Sequence, residues 1–171
     1  RLPLSREQAV RLLQSIDTLT LIGKRDKLIV ALMLTNGLRT CEVERINICD
    51  FTVEDYRDVL YIQRKGRKDK REAIAITPMV IRLKEDYLSA RGGYALQDAM
   101  FVNHSCKDNG SRLVRLTIGA IIKRRLRDIG IVRKDITAHS LRHTCGSLLV
   151  ENGVPIEAIR DLLGHSSSST T

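Results

Sequence analysis

Apolar side chains recur every three or four residues over much of the chain, and this spacing predicts amphipathic helices. Ser5 and Gln8 have the spacing of a capping box, which predicts that the first helix begins there and extends to about Ile16. A second apolar segment predicts a helix over residues 25–35. Gly37 is expected to end that helix, because glycine tolerates the left-handed backbone conformation found at helix C-termini.

The pattern changes in the middle of the chain, after Thr40, which is expected to cap a short third helix ending at residue 44 or 45. Residues 59–62 and 73–77 are rich in β-branched and aromatic side chains and predict two strands of a hairpin. Residues 46–48 are a candidate third strand. Pro78 then suits the first turn of another helix, where its missing N–H costs nothing.

Helical spacing returns in the second half of the chain. It predicts one helix over residues 115–129, another from Asp135 or Thr137 to about residue 151, and a last helix over residues 156–163. The sum is an α+β fold that is mostly α-helical, with a small three-stranded antiparallel sheet. A length of 171 residues is that of one domain with a substantial core.

The composition restricts the class of protein. A net charge of +9 favours a polyanionic partner, and a nucleic acid is the leading one. Aromatic residues make up only 4% and there is no Trp, so phosphate contacts are favoured over stacking of unpaired bases. No apolar run is long enough for a membrane span, and the four cysteines lack CxxC spacing. Reduced thiols and a cytoplasmic location are therefore expected.

Two basic clusters are the candidate DNA contacts. The first surrounds the predicted hairpin turn and consists of Arg64, Lys65, Arg67, Lys68, Lys70 and Arg71. The second lies on the predicted helix over residues 115–129 and consists of Lys123, Arg124, Arg125 and Arg127. Cations crowded in this way repel one another, which indicates that an anion binds nearby, although a solvated basic loop is an open alternative.

Arginine and histidine side chains near helix N-termini are candidates for holding one phosphate. Arg39 precedes the third helix, where a guanidinium can bind an anion with two hydrogen bonds, or can instead pair with Glu42 or Glu44. His139 and Arg142 are three apart and share one helical face.

The remaining histidines have alternative interpretations. His165 follows Gly164 and is a further phosphate-binding candidate, but it can also serve only as a partner of the preceding helix dipole. His139 and His143 have the spacing of a helical zinc pair, but position 140 lacks the Glu of a metalloprotease and no third ligand is evident. No metal site is therefore predicted, and His143 is expected to be a buried structural histidine.

Four of these segments, in this order, resemble the conserved boxes of the tyrosine recombinases, the phage integrase family. They are residues 37–42, 65–66, 139–144 and 163–166. The resemblance extends over nearly the whole chain and identifies residues 1–171 as one catalytic domain. It implies that Arg39, Lys65, His139, Arg142 and His165 are catalytic and that Glu42 supports them.

The family's reaction is cleavage and rejoining of DNA through a 3′-phosphotyrosyl intermediate. The resemblance implies that Arg39, Arg142 and His165 stabilise charge on the phosphate, that Lys65 protonates the leaving 5′-oxygen and that His139 handles the tyrosine proton. Fixed cations would do the work of a metal ion, so no cofactor is expected. The resemblance implies double-stranded DNA as the partner. The family works as four protomers on two DNA sites, whereas this chain alone is expected to be monomeric.

The family's nucleophilic tyrosine lies roughly nine residues beyond the histidine that matches His165, and this sequence ends at Thr171. The sequence is therefore expected to be a bacterial or phage-encoded catalytic domain without its N-terminal core-binding domain and its nucleophile segment, inactive as it stands. Two other interpretations stay open: a DNA-binding module that has lost its tyrosine, and a strand transferase of the type IB topoisomerase group. A zinc hydrolase is a distant further alternative.

Overall fold

Helices surround one long buried helix in the part of the chain that the computed structural model describes, which is residues 2–70, 72–155 and 158. The helices are α1 (Arg6–Ser15), α2 (Leu21–Asn36), α3 (Thr40–Glu44), α4 (Pro78–Arg91), α5 (Arg115–Asp128) and α6 (Ala138–Glu151). The strands are β1 (Phe51–Glu54), β2 (Arg57–Ile62) and β3 (Glu72–Ala75), which form an antiparallel sheet in that order. The predicted α+β class is confirmed.

The buried helix at the centre is α2. Residues 28–34 are all buried, so this stretch is apolar on every side. Helices α4 and α6 pack against α2, and α1 contacts α2, α5 and α6. The N-terminal ends of α3 and α6 are thereby brought to the same side of the core.

Two of the predicted helix signals are confirmed, one by its hydrogen bonds and one by its backbone conformation, and one helix begins earlier than predicted. The Ser5 hydroxyl accepts from the N–H of Gln8 at 3.1 Å, and the Gln8 side chain accepts from the N–H of Ser5 at 2.9 Å. Helix α2 begins at Leu21 and not at residue 25, because Thr20 caps it through the N–H of Gly23. Gly37 ends α2 with a φ of +64°, as predicted.

The predicted hairpin strands are present as β2 and β3, paired from Val59 opposite Ala75 to Ile62 opposite Glu72. The expected third strand over residues 46–48 is wrong. There the Asp50 carboxylate accepts the N–H of Asn47 at 2.7 Å and folds the chain into a 3₁₀ helix, Ile48–Asp50. The third strand is β1, which follows directly and pairs with β2.

The second half of the chain follows the prediction closely. Helix α5 ends one residue before the predicted end, and α6 begins after Thr137. The predicted helix over residues 156–163 lies outside the described residues apart from residue 158. Within the described ranges, no helix is both long and apolar enough to cross a bilayer.

Candidate active site

Three of the predicted phosphate-binding side chains line one small concavity. Arg39 comes from the N-terminal end of α3, and His139 and Arg142 come from the first two turns of α6, about a hundred residues later. Met33, Leu38, Thr40 and Ala138 complete the lining. The fold thus joins the first and second predicted boxes through the packing of α6 against α2.

Arg39 is held by a carboxylate that solvent does not reach. Glu42 is fully buried and accepts hydrogen bonds from the backbone N–H of Arg39 at 2.9 Å and from its Nη1 at 3.1 Å. The alternative pairing with Glu42 is therefore present, but inside the protein and not at its surface. Thr40 is the first residue of α3, so the predicted cap position is one residue too late, and the orphan N–H is satisfied by Glu42.

Arg142 lies deeper than Arg39. Only 7% of the residue is exposed, and Nη1 donates to the backbone carbonyl oxygen of Gly37 at 2.6 Å. Burial lowers the pKa of Arg142 to about 10, with the positive charge of Arg39 acting in the same direction and Glu42 opposing it. A guanidinium this strongly desolvated, next to a second one, favours binding of an anion.

His139 is exposed in the first turn of α6, one turn before Arg142. His143 is also exposed, so the prediction of a buried structural histidine is wrong. The two histidines are four residues apart and share the solvent side of the helix, because residues at this spacing lie on one face. Among the residues that the structure describes, no three His, Cys, Asp or Glu side chains come close enough to hold a metal ion.

Arg64, a predicted DNA contact, points into the protein at the base of the β2–β3 hairpin. It is 7% exposed and makes a two-pronged ion pair with Glu72, with Nε to Oε2 and Nη2 to Oε1 both 2.8 Å. Its Nη1 also lies 3.6 Å from Glu42. Burial alone would lower the pKa of Arg64, but the hydrogen bond to Glu72 and the charge of Glu42 outweigh it and raise that pKa above its ordinary value.

The hairpin tip presents the other cations differently. Lys65, Arg67 and Lys68 are exposed around Gly66, which has a φ of +81°. Lys70 instead pairs with Asp50 of the 3₁₀ helix, so this end of the tip is tethered to the domain. Arg71 lies outside the described residues.

The basic cluster on α5 also contains both exposed and ion-paired side chains. Lys123, Arg124 and Arg127 are exposed. Arg124 also pairs with Asp26 of α2 at 3.3 Å, and Arg125, which is only 17% exposed, pairs with the same carboxylate at 2.8 Å. Asp26 is fully buried and also pairs with the buried Arg25. This ionic cluster was not predicted from the sequence. The feature that could have indicated it is the adjacent Arg–Asp pair near the start of a long apolar helix.

The fifth predicted catalytic residue, His165, lies outside the described residues, so its position relative to Arg39 and Arg142 stays a prediction. All four tyrosines of the sequence are in the described part, at positions 56, 61, 87 and 94. None of them is among the residues that line the concavity.

Comparison with known proteins places this arrangement in a family. The chain is 31% identical to the tyrosine recombinase XerD of Listeria innocua over 98% of its own length and 55% of that protein. It is 31% identical to the tyrosine recombinase XerC of Pelobacter propionicus over its full length and 54% of that protein. The chain thus spans about half the length of these curated relatives.

Solved structures give the same result. The XerH site-specific recombinase bound to difH substrate, in a pre-cleavage complex, has a TM-score of 0.81 and 26% identity over 99% of this chain and 49% of that one. The XerA recombinase has a TM-score of 0.80 and 27% identity over 99% of this chain and 58% of that one. The family model described as "Phage integrase family" matches residues 3–171. This chain belongs to the phage integrase family, the tyrosine recombinases.

Proposed function

We propose that this chain is the catalytic domain of a site-specific DNA recombinase that breaks and rejoins strands through a 3′-phosphotyrosyl intermediate. The observation that carries the proposal is the convergence of Arg39, His139 and Arg142 on one concavity. Two guanidiniums and an imidazole among the residues that line one concavity are a set of donors suited to the oxygens of a phosphodiester. The kinship with XerD and XerC supports the same reaction class.

In the proposed mechanism a tyrosine oxygen attacks phosphorus, the bond to the 5′-oxygen breaks and the 3′-phosphate becomes attached to the tyrosine. Negative charge grows on the non-bridging oxygens of the five-coordinate phosphorus. Arg39 and Arg142 stabilise this charge, with His165 as a further donor. Since Glu42 and Gly37 already hold the two guanidiniums, little reorganisation is needed when the charge develops.

Two proton transfers complete the reaction. Lys65 at the exposed hairpin turn gives a proton to the leaving 5′-oxygen, and His139 accepts the proton of the attacking tyrosine. Glu42 touches no reacting atom in this scheme and acts as a positioning residue for Arg39. The second transesterification, by a free 5′-hydroxyl, reverses these steps and rejoins the strand without an external energy source.

We also propose that the exposed cations Lys65, Arg67, Lys68, Lys123 and Arg127 form the phosphate-contacting surface. Their exposure and the net charge of +9 support this assignment. Arg64, Arg125 and Lys70 are engaged with buried or half-buried carboxylates and are assigned to the framework of the domain. The active assembly is four protomers on two DNA sites, in the cytoplasm of a bacterial cell.

The nucleophile is proposed to be none of the four tyrosines in this sequence. None of the four is among the residues that line the concavity, which supports this proposal. Tyr87 is buried in the core, and Tyr61 bonds Glu54 on the neighbouring strand.

The test is to incubate the native full-length protein with a nicked duplex that carries its recombination site and traps the cleaved strand. A covalent protein–DNA complex that survives denaturant, forms in EDTA and maps to a 3′-phosphotyrosine supports the proposal. The Arg39→Ala variant should form none. Salt-sensitive DNA binding without any adduct would instead indicate a non-catalytic DNA-binding module.

A further inference from the structure

We infer that Arg64 is a positioning residue that holds the Lys65 turn against the Arg39 site through Glu42 and Glu72. The inference rests on the function proposed above and adds a residue to it. Nothing in the sequence pattern separates Arg64 from the five other cations of the hairpin, but in the structure it is buried, whereas Lys65, Arg67 and Lys68 are exposed. It is 7% exposed, so its guanidinium is not available to a DNA backbone.

The guanidinium of Arg64 joins two parts of the molecule. Toward the hairpin, it bonds both oxygens of Glu72, the first residue of β3, at 2.8 Å. Toward α3, it lies 3.6 Å from the Oε1 atom of Glu42. The same Oε1 accepts from Nη1 of Arg39 at 3.1 Å. One buried carboxylate oxygen therefore lies between the arginine of the hairpin and the arginine of the phosphate site.

The backbone of Arg64 fixes the position of its neighbour. Its carbonyl oxygen accepts from the N–H of Arg67 at 3.0 Å, which closes a four-residue turn with Lys65 and Gly66 at the central positions. A φ of +81° at Gly66 is that of the third residue of a type II turn. Lys65 is thus the second residue of a turn whose first residue is anchored by three nitrogen atoms of its side chain.

The opposite end of the tip is tethered as well, because Lys70 pairs with Asp50. Between the two anchors, Lys65, Arg67 and Lys68 are exposed. Anchors at both ends limit the space that the Lys65 amine can search, and proton donation requires the donor to lie within hydrogen-bond reach of the leaving oxygen. Loss of Arg64 should therefore damage the proton transfer more than it damages DNA binding.

The experiment compares cleavage by the full-length protein of ordinary DNA and of DNA whose scissile 5′-bridging oxygen is replaced by sulfur. Sulfur leaves without protonation, so a defect in delivering the proton disappears on that substrate. Arg64→Ala is expected to cleave the oxygen substrate about 10–100-fold more slowly than wild type, and the sulfur substrate within about threefold of wild type. The double variant Arg64→Ala/Lys65→Ala should be no slower than Lys65→Ala alone, because both changes remove the same step.

Two further variants distinguish a loss of positioning from a loss of positive charge and from a loss of folding. Arg67→Ala removes one positive charge from the same turn without touching the anchor, and should change both substrates by one common factor. Glu72→Gln leaves Arg64 in place but weakens its anchor at a half-exposed position, where unfolding is not expected. It should cleave the oxygen substrate about 3–10-fold more slowly than wild type and leave cleavage of the sulfur substrate nearly unchanged. This variant tests the inference even if Arg64→Ala does not fold.

The outcomes are distinct. Equal losses on the two substrates, or a double variant slower than Lys65→Ala by the full Arg64 factor, would overturn the positioning role and leave the proposed function intact. Failure of sulfur to rescue Lys65→Ala would remove the acid role of Lys65 and the inference with it. Absence of any covalent adduct in the wild-type protein would overturn the proposed function itself.

Discussion

Arg142 donates a 2.6 Å hydrogen bond to the carbonyl oxygen of Gly37, a residue 105 positions earlier in the chain. Gly37 ends α2 in the left-handed conformation, and Arg39 follows two residues later. The turn that positions Arg39 therefore also provides a hydrogen-bond acceptor for Arg142. This hydrogen bond links the segment that carries Arg39 to the helix that carries Arg142. A substitution at Gly37 or at Arg142 should therefore affect the position of both arginines.

Replacement of Gly37 by Ala should reduce stability and activity together. A side chain at a φ of +64° costs about 1–2 kcal/mol, and relief of this strain would shift the carbonyl that Arg142 uses. Thermal melting and single-turnover cleavage of Gly37→Ala check this. Gly130→Ala is the matched control, with a φ of +83° at the end of α5 and open space around the added Cβ. It should lose comparable stability and keep its cleavage rate.

Arg142→Lys should abolish most cleavage while DNA binding stays within a few-fold of wild type. A lysine keeps the charge but has one nitrogen, so it cannot both bond Gly37 and fork onto a phosphate. Loss of one transition-state contact of this kind typically costs about 10²–10³ in rate. Single-turnover cleavage and DNA titration in the same buffer separate the two effects. Cleavage at the wild-type rate would contradict the assignment of Arg142 to the phosphate.

Glu42→Gln should be strongly destabilising for a change of one atom. The carboxylate is fully buried and holds Arg39 by two hydrogen bonds, with Arg64 at 3.6 Å. Removal of one partner of a buried ion pair leaves uncompensated charge and costs roughly 3 kcal/mol. Denaturant unfolding measures this cost. Glu44→Gln, two residues along on the same helix and partly exposed, is the control and should change stability little.

The Arg64–Glu72 pair should leave a signature at acid pH. Hydrogen bonding to Arg64 lowers the pKa of Glu72 below its ordinary value, against a smaller opposing effect of burial. A lowered folded-state pKa means that the contribution to stability is complete above the unfolded pKa, about 4.3, and is lost as pH falls through the folded value. The stability difference between wild type and Glu72→Gln should therefore shrink below about pH 4. A difference that is constant down to pH 2 would contradict the pairing.

The fold was largely predictable because its helices carry local signals. The Ser5–Gln8 capping box, Gly37 and Pro78 each mark a boundary through backbone chemistry that involves only neighbouring residues. The prediction of a strand at residues 46–48 was wrong because a side-chain hydrogen bond there outweighs the hydrophobic pattern. That segment is apolar like a strand, but Asp50 bonds back to Asn47 and replaces the ladder with a tight local turn.

The sequence predicted which residues lie in the candidate site better than it predicted which cations are exposed and which are buried in ion pairs. Arg39, His139 and Arg142 were identified from their motifs, and the structure brings them to one concavity. Motif and charge density could not show that Arg64 and Arg125 face inward, because the carboxylates that hydrogen-bond to them, Glu72 and Asp26, lie 8 and 99 positions away along the chain. Long-range pairing decides which cation of a cluster is exposed, and sequence spacing does not encode it.

Two cations on α5, two residues apart, should respond to substitution in opposite ways. Arg125 is 17% exposed and bonds Asp26 through two nitrogen atoms at 2.8 and 3.1 Å, so Arg125→Ala should cost about 1–3 kcal/mol of stability. Asp26 keeps Arg25 and Arg124 as partners, which limits the loss. Lys123 is exposed, and Lys123→Ala should leave melting nearly unchanged.

DNA binding should show the reverse order. If Lys123 neutralises one phosphate, its removal lowers the slope of log Kd against log salt concentration by about 0.9, because one fewer counterion is released. Arg125→Ala should keep the wild-type slope under conditions where it is folded. Titrations of both variants at four salt concentrations, each beside a thermal melt, make the comparison. A changed slope for Arg125→Ala with an unchanged slope for Lys123→Ala would mean that α5 meets DNA with the opposite face.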